Sequence, residues 1–250
     1  MLRVRGLTVG FGGAPVLADV HLEVRRGEFV SLIGPSGSGK TSVLRAITGL
    51  LRPLSGGVEL DIPTRDVGFL FQDDALLPWR TVRENVALGL RFRGVEAREA
   101  GARADRWLSL VGMAGFGDRY PRQLSGGQRK RVAIAQVLVL EPPLLLMDEP
   151  FASLDAIVRT RLTQELLGWV EREGISVLLV THDLEEAIGV SDAVYVLSQG
   201  PGARIRARHE VAIPRPRDVL ESRRHPEFDT LLRRLWDELS DASTPAGEPA

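Results

Sequence analysis

Residues 29–50 read FVSLIGPSGSGKTSVLRAITGL, and this stretch decides the fold. Residues 29–33 form a short and almost continuous apolar run, which is typical of a β-strand buried on both faces. The next segment is rich in glycine and serine, and after it apolar side chains recur at the spacing of a helix. The stretch therefore predicts a buried strand, a glycine-rich turn and a helix.

The turn has the sequence GPSGSGKT and fits the Walker A pattern, Gly-x4-Gly-Lys-Ser/Thr. Gly37 and Gly39 let successive backbone N–H groups point at phosphate oxygens, and the helix that follows adds its positive end. Lys40 supplies a point charge to the β- and γ-phosphates, and the Thr41 hydroxyl is a ligand for Mg²⁺. A plain strand–helix turn is the alternative interpretation. The predicted nucleotide-binding residues here are Gly34, Pro35, Ser36, Gly37, Ser38, Gly39, Lys40 and Thr41.

A second apolar run, residues 144–147, ends at two adjacent carboxylates, Asp148 and Glu149. Beside a phosphate loop, one carboxylate of such a pair can hold Mg²⁺ while the other polarises a water molecule. We therefore predict a metal-binding role for Asp148 and a catalytic role for Glu149. Taken alone, the Asp-Glu-Pro sequence is equally consistent with a simple exit from a strand into a loop.

The surrounding patterns predict an α/β fold with a mostly parallel sheet, because short strands alternate with helices. Period-two alternation in the first 30 residues predicts an antiparallel β subdomain, and residues 203–213 predict a hairpin at the sheet edge. Helical patterns dominate from residue 75 to residue 141. Together with the Walker A turn, this pattern resembles the P-loop NTPases (RecA-like). The architecture that the resemblance implies is a core of that class at 1–74 and 142–220, an inserted helical subdomain at 75–141, C-terminal helices at 221–239, and a disordered tail at 240–250.

Composition narrows the function classes. The 250 residues carry 32 basic and 33 acidic side chains and no cysteine. Disulfides, thiolate metal sites and cysteine nucleophiles are thus excluded, and the balanced charge argues against nucleic acid as a partner. We expect neither a secretory signal nor a membrane span, because no apolar run is long enough.

Only two of the basic residues are lysines, Lys40 and Lys130, and we interpret Lys130 as a solvated helix residue.

Residues 124–128, LSGGQ, precede a predicted helix. By themselves they predict a second anion site, made from a serine N-cap, two glycines and a helix N-terminus. They also follow the Walker A turn and a glutamine after a strand, and they precede LMDEP at 146–150, SLD at 153–155 and a histidine at a strand end. With this set of motifs, in this order, the chain resembles the nucleotide-binding subunit of an ABC transporter from about residue 2 to residue 239.

The resemblance implies roles for four further side chains. Phe11 would stack on adenine, although it is also consistent with a plain core position. Gln72 would be the Q-loop glutamine, which reaches Mg²⁺ or the attacking water. Asp155 would lie in the D-loop at the subunit boundary, and His182 would contact the γ-phosphate.

The resemblance also implies a homodimer in which the signature of one copy faces the Walker A turn of the other. The signature residues that would then contact the γ-phosphate across the interface are Ser125, Gly126, Gly127 and Gln128. ATP would join the two copies, and hydrolysis would release them, as in other switches driven by a γ-phosphate.

Residues 71–85, FQDDALLPWRTVREN, resemble the importer branch for nitrate, sulfonate, taurine and related solutes. The implied function is that of a subunit at the cytoplasmic face of the membrane that hydrolyses ATP with Mg²⁺ to energise import of a small solute. Its partners would be a multi-span permease and, indirectly, an external solute-binding protein. The apolar residues 75–79 would contact the permease, or else form the core of the helical subdomain.

Two other functions compete with this interpretation. A soluble ABC-type ATPase acting on nucleic acid or ribosomes is the alternative function. A P-loop kinase or GTPase is a third, and the LSGGQ sequence and Glu149 argue against it.

Overall fold

The structure is a computed structural model that describes residues 1–12 and 14–242, with side chains up to residue 240. In chain order, the strands are β1 (Leu2–Phe11), β2 (Ala14–Val24), β3 (Phe29–Ile33), β4 (Ser55–Leu60), β5 (Val67–Leu70), β6 (Leu144–Asp148), β7 (Ser176–Val180), β8 (Ala193–Leu197) and β9 (Ile205–Glu210). The helices are α1 (Lys40–Ile47), α2 (Val82–Phe92), α3 (Ala97–Leu110), α4 (Gly126–Leu138), α5 (Ala156–Glu173), α6 (Leu184–Val190) and α7 (Pro226–Ala242).

The larger sheet has six strands in the order β5-β6-β7-β3-β8-β9. All neighbours pair in parallel except β8 and β9, which form an antiparallel hairpin at the edge. Residues 203–213 supply only one strand of this hairpin, β9, and not the whole hairpin that was predicted for them. Strands β3, β6, β7 and β8 are buried along their whole length, as their continuous apolar runs require. The predicted α/β fold with a mostly parallel sheet is therefore confirmed.

The predicted antiparallel β subdomain is a three-stranded sheet in the order β2-β1-β4. Strand β4 has no counterpart in the sequence prediction, because its first residues, Ser-Gly-Gly, are typical of a loop. Gly56 has a φ of +76°, and a Cβ there would lie 2.1 Å from the Gly6 carbonyl oxygen. Two backbones therefore meet at this position, and only glycine fits between them.

Helices α2, α3, α4 and α5 contribute to one hydrophobic cluster, which extends onto one face of the larger sheet through Leu145, Met147 and Val177. The ends of these helices follow local capping signals. Thr81 and Glu84 form a capping box at the start of α2, with hydrogen bonds of 3.3 and 2.8 Å. The inserted segment is thus helical, as its pattern predicts, while the domain boundaries stay a prediction.

The C-terminal segment differs from the predicted helices. A short 3-10 turn, Glu221–Arg224, precedes one long helix, α7, which packs through Phe228, Leu231 and Leu235 against α6 and β8. The start of α7 coincides with Pro226, since proline is favoured at the first helical position. Residues 240–242 belong to this helix, so the predicted disordered tail is wrong for them, and its remaining residues lie outside those described. Across residues 1–12 and 14–242, we find no helix with the length and apolar character needed to cross a membrane.

Candidate nucleotide site

The glycine-rich turn joins the central strand β3 to the first turn of α1, at the carboxyl edge of the larger sheet. Gly37 and Gly39 have φ values of +77° and +93°, which favour glycine. A Cβ on Gly39 would also lie 2.9 Å from the side chains of Val16 and Leu17. The turn is therefore packed against the start of β2, and its shape depends on these glycines.

Two polar side chains of the turn lie inside it. The Lys40 ammonium donates hydrogen bonds to the carbonyl oxygens of Gly34 at 2.8 Å and Pro35 at 2.9 Å. Burial lowers the pKa of Lys40, against the opposing effect of Glu149 and Asp148. The Ser38 hydroxyl is fully buried and has no hydrogen-bond partner among the described residues. A buried hydroxyl and a buried ammonium within a curved backbone suit the oxygens of a phosphate chain.

Thr41 and Asp148 meet beside this turn, where the Thr41 hydroxyl donates to Asp148 Oδ1 at 3.0 Å. Burial raises the pKa of Asp148, and the neighbouring charge of Glu149 adds to the rise, whereas the hydrogen bond from Thr41 opposes it. A hydroxyl and one carboxylate form the kind of donor set with which Mg²⁺ is bound together with phosphate oxygens and water. The residues present therefore fit the predicted metal.

Glu149 follows Asp148 and lies beside the predicted histidine. Glu149 Oε2 is 3.0 Å from His182 Nδ1, and the Glu149 N–H donates to the Val180 carbonyl oxygen at 2.8 Å. Glu149 has a φ of +43°, a conformation that costs a non-glycine residue about 1 to 2 kcal/mol. The pairing of β6 with β7 holds this conformation, and it directs the carboxylate toward the imidazole at the strand ends.

Phe11 and Gln72 lie at or just after the ends of strands in the two different sheets. Phe11 is 57% exposed at the end of β1, on the hairpin whose second strand packs against Gly39. Its exposure contradicts the alternative that it is a core residue. Gln72 follows β5, which pairs in parallel with β6, so it leaves the sheet beside Asp148.

The signature residues form the predicted helix cap. The Ser125 hydroxyl accepts from the Gln128 N–H at 3.3 Å, and Gln128 Oε1 accepts from the Ser125 N–H at 2.9 Å. Ser125 and Gly126 are exposed, whereas a Cβ on Gly127 would lie 3.2 Å from Val158 of α5. Within the described part of the chain, no hydrogen bond or ion pair joins residues 124–128 to the turn at 34–41. The signature is thus an exposed helix start outside this copy's phosphate turn.

Asp155 also caps a helix, since its carboxylate accepts from the Val158 N–H at the start of α5. Sequence reasoning missed its neighbour Arg159, which connects two of the predicted loops. Arg159 donates to the Leu154 carbonyl oxygen at 3.0 Å and to Asp183 at 3.3 Å, next to His182. No pattern in the sequence distinguishes Arg159 from the many other arginines.

The interpretation of Lys130 as a solvated residue is wrong. Its side chain is 1% exposed, and its ammonium lies 2.9 Å from the Gln72 carbonyl oxygen and 3.1 Å from Asp74. The segment after β5 covers the face of α4 that carries it. The scarcity of lysine was the signal that could have identified this residue, because an otherwise arginine-rich chain keeps lysine at only two positions.

A second carboxyl group that the sequence did not reveal is Glu186 of α6. Its Oε2 accepts from the Thr181 hydroxyl at 2.6 Å, next to His182. Burial raises the pKa of Glu186 to about 7, and the nearby charge of Asp183 adds to the rise. This carboxyl group therefore keeps its proton to a higher pH than an exposed glutamate does.

This pKa predicts how stability depends on pH. Because the pKa is about 7 in the folded state and lower in the unfolded chain, folding binds a proton between these values. The contribution of Glu186 to stability is therefore largest at the acid end of this window and is lost as pH rises to 7. We expect Glu186→Gln to be more stable than the parent at pH 8, by at most about 3 kcal/mol. Urea unfolding at pH 5 to 8 measures this difference.

The matched control is Glu185→Gln, since Glu185 is the adjacent glutamate and its half-exposed carboxylate forms an ion pair with Arg223. It should change stability by less than about 1 kcal/mol at any of these pH values. A stability difference between Glu186→Gln and the parent that does not vary with pH would refute the assignment.

Comparisons with known proteins agree with the geometry. The family model described as ABC transporter matches residues 17–152. A nitrate import ATP-binding protein of Synechococcus elongatus is 42% identical over 233 residues, which is 90% of this chain but 35% of that protein. The chain therefore spans about a third of that relative. A taurine import ATP-binding protein of Yersinia pestis is 44% identical over 208 residues, and 81% of each chain is covered.

Among solved structures, a dimeric ATP-binding cassette in a post-hydrolysis state, bound to ADP and phosphate, is similar with a TM-score of 0.75. The two sequences are 33% identical, and the match covers 86% of this chain and 100% of that one.

Proposed function

Since the chain belongs to the ABC transporter family, we propose that it is an ATP-hydrolysing subunit that energises import of a small solute through a membrane permease. One observation is the main support for ATP hydrolysis at this site. The Thr41–Asp148 pair and the Glu149–His182 pair meet at the carboxyl edge of the sheet, beside a turn whose buried groups suit phosphate. The import role is supported by the nitrate and taurine relatives, and a small solute of this kind is the one we propose.

The phosphate turn binds the nucleotide in this proposal. Lys40 exchanges its contacts with Gly34 and Pro35 for phosphate oxygens, and the Ser38 hydroxyl gains a partner. The exposed ring of Phe11 stacks on the base, which contributes roughly 1 to 3 kcal/mol.

Thr41, Asp148 and Gln72 are the residues that would hold Mg²⁺, which neutralises charge on the phosphates. The Asp148 carboxylate is buried and already accepts from Thr41, so it is fixed in position before the metal arrives.

Glu149 is the proposed general base. Its carboxylate accepts a proton from the attacking water, and the backbone hydrogen bond to Val180 fixes where the carboxylate stands. His182 lies next to it with Nδ1 toward Glu149, so we assign the opposite ring nitrogen to the terminal phosphate. Together, Glu149 and His182 would place the attacking water next to both the general base and the terminal phosphate.

The proposed active unit is a homodimer in which Ser125, Gly126, Gly127 and Gln128 of one copy contact the nucleotide of the other. Support comes from the exposed signature cap and from the similarity to a dimeric cassette. The terminal phosphate then joins the two copies, and Asp155 lies near their boundary. Loss of this phosphate on hydrolysis removes the contact that holds the dimer closed.

A groove of about 260 Å³ between β5, α2 and α4 is the proposed contact with the permease. Ala75 and Phe92 line it, Phe92 is 84% exposed, and Trp79 in the adjacent loop is 72% exposed. Leu76 instead packs on the core, so residues 75–79 are divided between the two roles predicted for them. Exposed aromatic side chains of this size mark a protein contact.

Through this contact the chain would be peripheral at the cytoplasmic face of the membrane, and an external solute-binding protein would act on the permease.

The permease contact yields a prediction for purification from detergent-solubilised membranes. The double variant Trp79→Ala/Phe92→Ala should recover at least about 10-fold less of the multi-span partner, because truncated aromatic anchors cost about 2 kcal/mol or more. Its ATP hydrolysis without the partner should stay within about twofold of the parent, since neither ring contacts the nucleotide turn. Mass spectrometry of the recovered complex and phosphate release measure the two effects.

Leu50→Ala is the control, because Leu50 is also a large exposed apolar side chain but lies after α1, away from the groove. It should recover the permease normally. Recovery of ribosomal proteins or DNA in place of a multi-span protein would contradict the import function and favour the soluble alternative.

A further inference from the structure

The buried ion pair of Lys130 joins two parts of the proposed machinery within one copy. Its ammonium contacts the Gln72 carbonyl oxygen at 2.9 Å and the Asp74 carboxylate at 3.1 Å, and its side chain is 1% exposed. A buried ammonium is unfavourable unless it is paired and hydrogen bonded, so its two partners are held in place as long as the lysine is buried. The position of the Gln72 backbone is therefore set from α4.

A second cation strengthens the connection. Arg129 Nε donates to Asp74 at 3.0 Å, and its Nη1 donates to the Leu124 carbonyl oxygen at 2.9 Å. Arg129 and Lys130, which directly follow Gln128, therefore both contact the Asp74 carboxylate. Asp74 lies two residues after Gln72. Leu124 is the first residue of the signature, so the cluster contacts both the start of the signature and the helix that carries it.

We propose that Lys130, through Asp74 and the Gln72 backbone, is a positioning residue that couples the nucleotide site of one copy to its own signature helix. The inference rests on the proposed function, in which Gln72 serves this copy's nucleotide and Ser125 serves the partner's. A shift of Gln72 toward its nucleotide displaces the buried ammonium, and α4 moves with it because the ammonium is anchored in that helix. Binding at one site thereby orients the signature that completes the other.

The test uses a pair of introduced cysteines, because the chain has none of its own. The two cysteines are Leu50→Cys, which follows α1 in the nucleotide-binding part of the chain, and Arg122→Cys, which lies beside the signature. Both positions are exposed, and labels on the two cysteines allow the distance between them to be measured by pulsed electron paramagnetic resonance. Labelled chains are diluted in unlabelled ones, in the Glu149→Gln background with Mg·ATP. We expect ATP to change the distance in the parent, and Lys130→Met to lose most of this change while its Kd for ATP stays within about threefold.

Kinetics provide an independent readout in chains that keep Glu149. Lys130→Met should lower kcat at least about 10-fold and leave KM for ATP nearly unchanged, because the residue touches no nucleotide. Lys130→Gln retains a donor for the Gln72 carbonyl oxygen and should recover part of the loss. If Lys130→Met folds poorly, the double variant Lys130→Met/Asp74→Asn removes both charges of the pair, and its effect on kcat should not exceed that of the single variant.

Arg103→Met is the matched control. Arg103 is also a cation of the helical segment, and it donates to the Val139 carbonyl oxygen at the far end of α4. This variant should keep the ATP-dependent distance change even if it is less stable. An unchanged distance response in Lys130→Met, an equal loss in Arg103→Met, or no response in the parent would each overturn the coupling. Failure of the parent chain to hydrolyse ATP would instead refute the proposed function, because the distance measurement needs only binding.

Discussion

Replacing Glu149 with glutamine is expected to slow ATP hydrolysis at least about 100-fold, since a general base contributes 10²- to 10⁴-fold. The amide keeps the size of the carboxylate and can keep its contact with His182, which lies 3.0 Å away. It cannot take a proton from water. The variant should therefore bind ATP as the parent does, and phosphate release measured with saturating Mg·ATP gives the loss of turnover.

The same variant should accumulate as a dimer when ATP is present, because the phosphate that joins the two copies is no longer removed. Light scattering with ATP and with ADP measures this, and only ATP should double the mass. Glu185→Gln serves as the control, since Glu185 pairs with Arg223 and lies outside the site. Its turnover should stay within about twofold of the parent. Normal turnover in Glu149→Gln would remove Glu149 from the mechanism.

Much of the site could be predicted because its residues lie at the ends of buried parallel strands. Such strands are short apolar runs, and their carboxyl ends meet at one edge. The runs before Gly34 and Asp148 therefore placed the phosphate turn and the carboxylates together, as the contact between Thr41 and Asp148 confirms. The comparisons confirm the family that these motifs indicate. The functional roles of all the predicted site residues stay predictions.

What the sequence did not show depends on contacts between distant segments. The burial of Lys130 results from the loop after β5, 58 residues earlier, and a helical pattern alone cannot reveal it. Strand β4 was missed because the approach of Gly56 to Gly6 is decided by pairing with β1 and not by local propensity. The raised pKa of Glu186 likewise depends on burial by neighbouring elements. Tertiary packing decided each of these features.

A mixture of two inactive variants should recover part of the ATPase activity. Ser125→Arg places a large cation at the exposed signature cap, and Lys40→Ala removes the ammonium from the phosphate turn. Each variant alone breaks both sites of its homodimer. In the mixed dimer, Lys40 of one copy meets Ser125 of the other, so one intact site forms. Random pairing of equal amounts gives about one quarter of the parent activity if the two sites act independently, because half of the dimers are mixed and each has one intact site of two.

The matched control pairs Ser125→Arg with a chain that carries both Ser125→Arg and Lys40→Ala. It forms the same kind of mixed dimer, but no site in it has both residues, so it should recover nothing. Loss of the Ser125 cap costs about 1 kcal/mol, which leaves the chain folded. If the first mixture also recovers nothing, light scattering with ATP in the Glu149→Gln background decides the cause. An ATP-dependent mixed dimer means that one composite site forms but both sites must be intact for hydrolysis, whereas no mixed dimer means that Ser125 does not complete the partner's site.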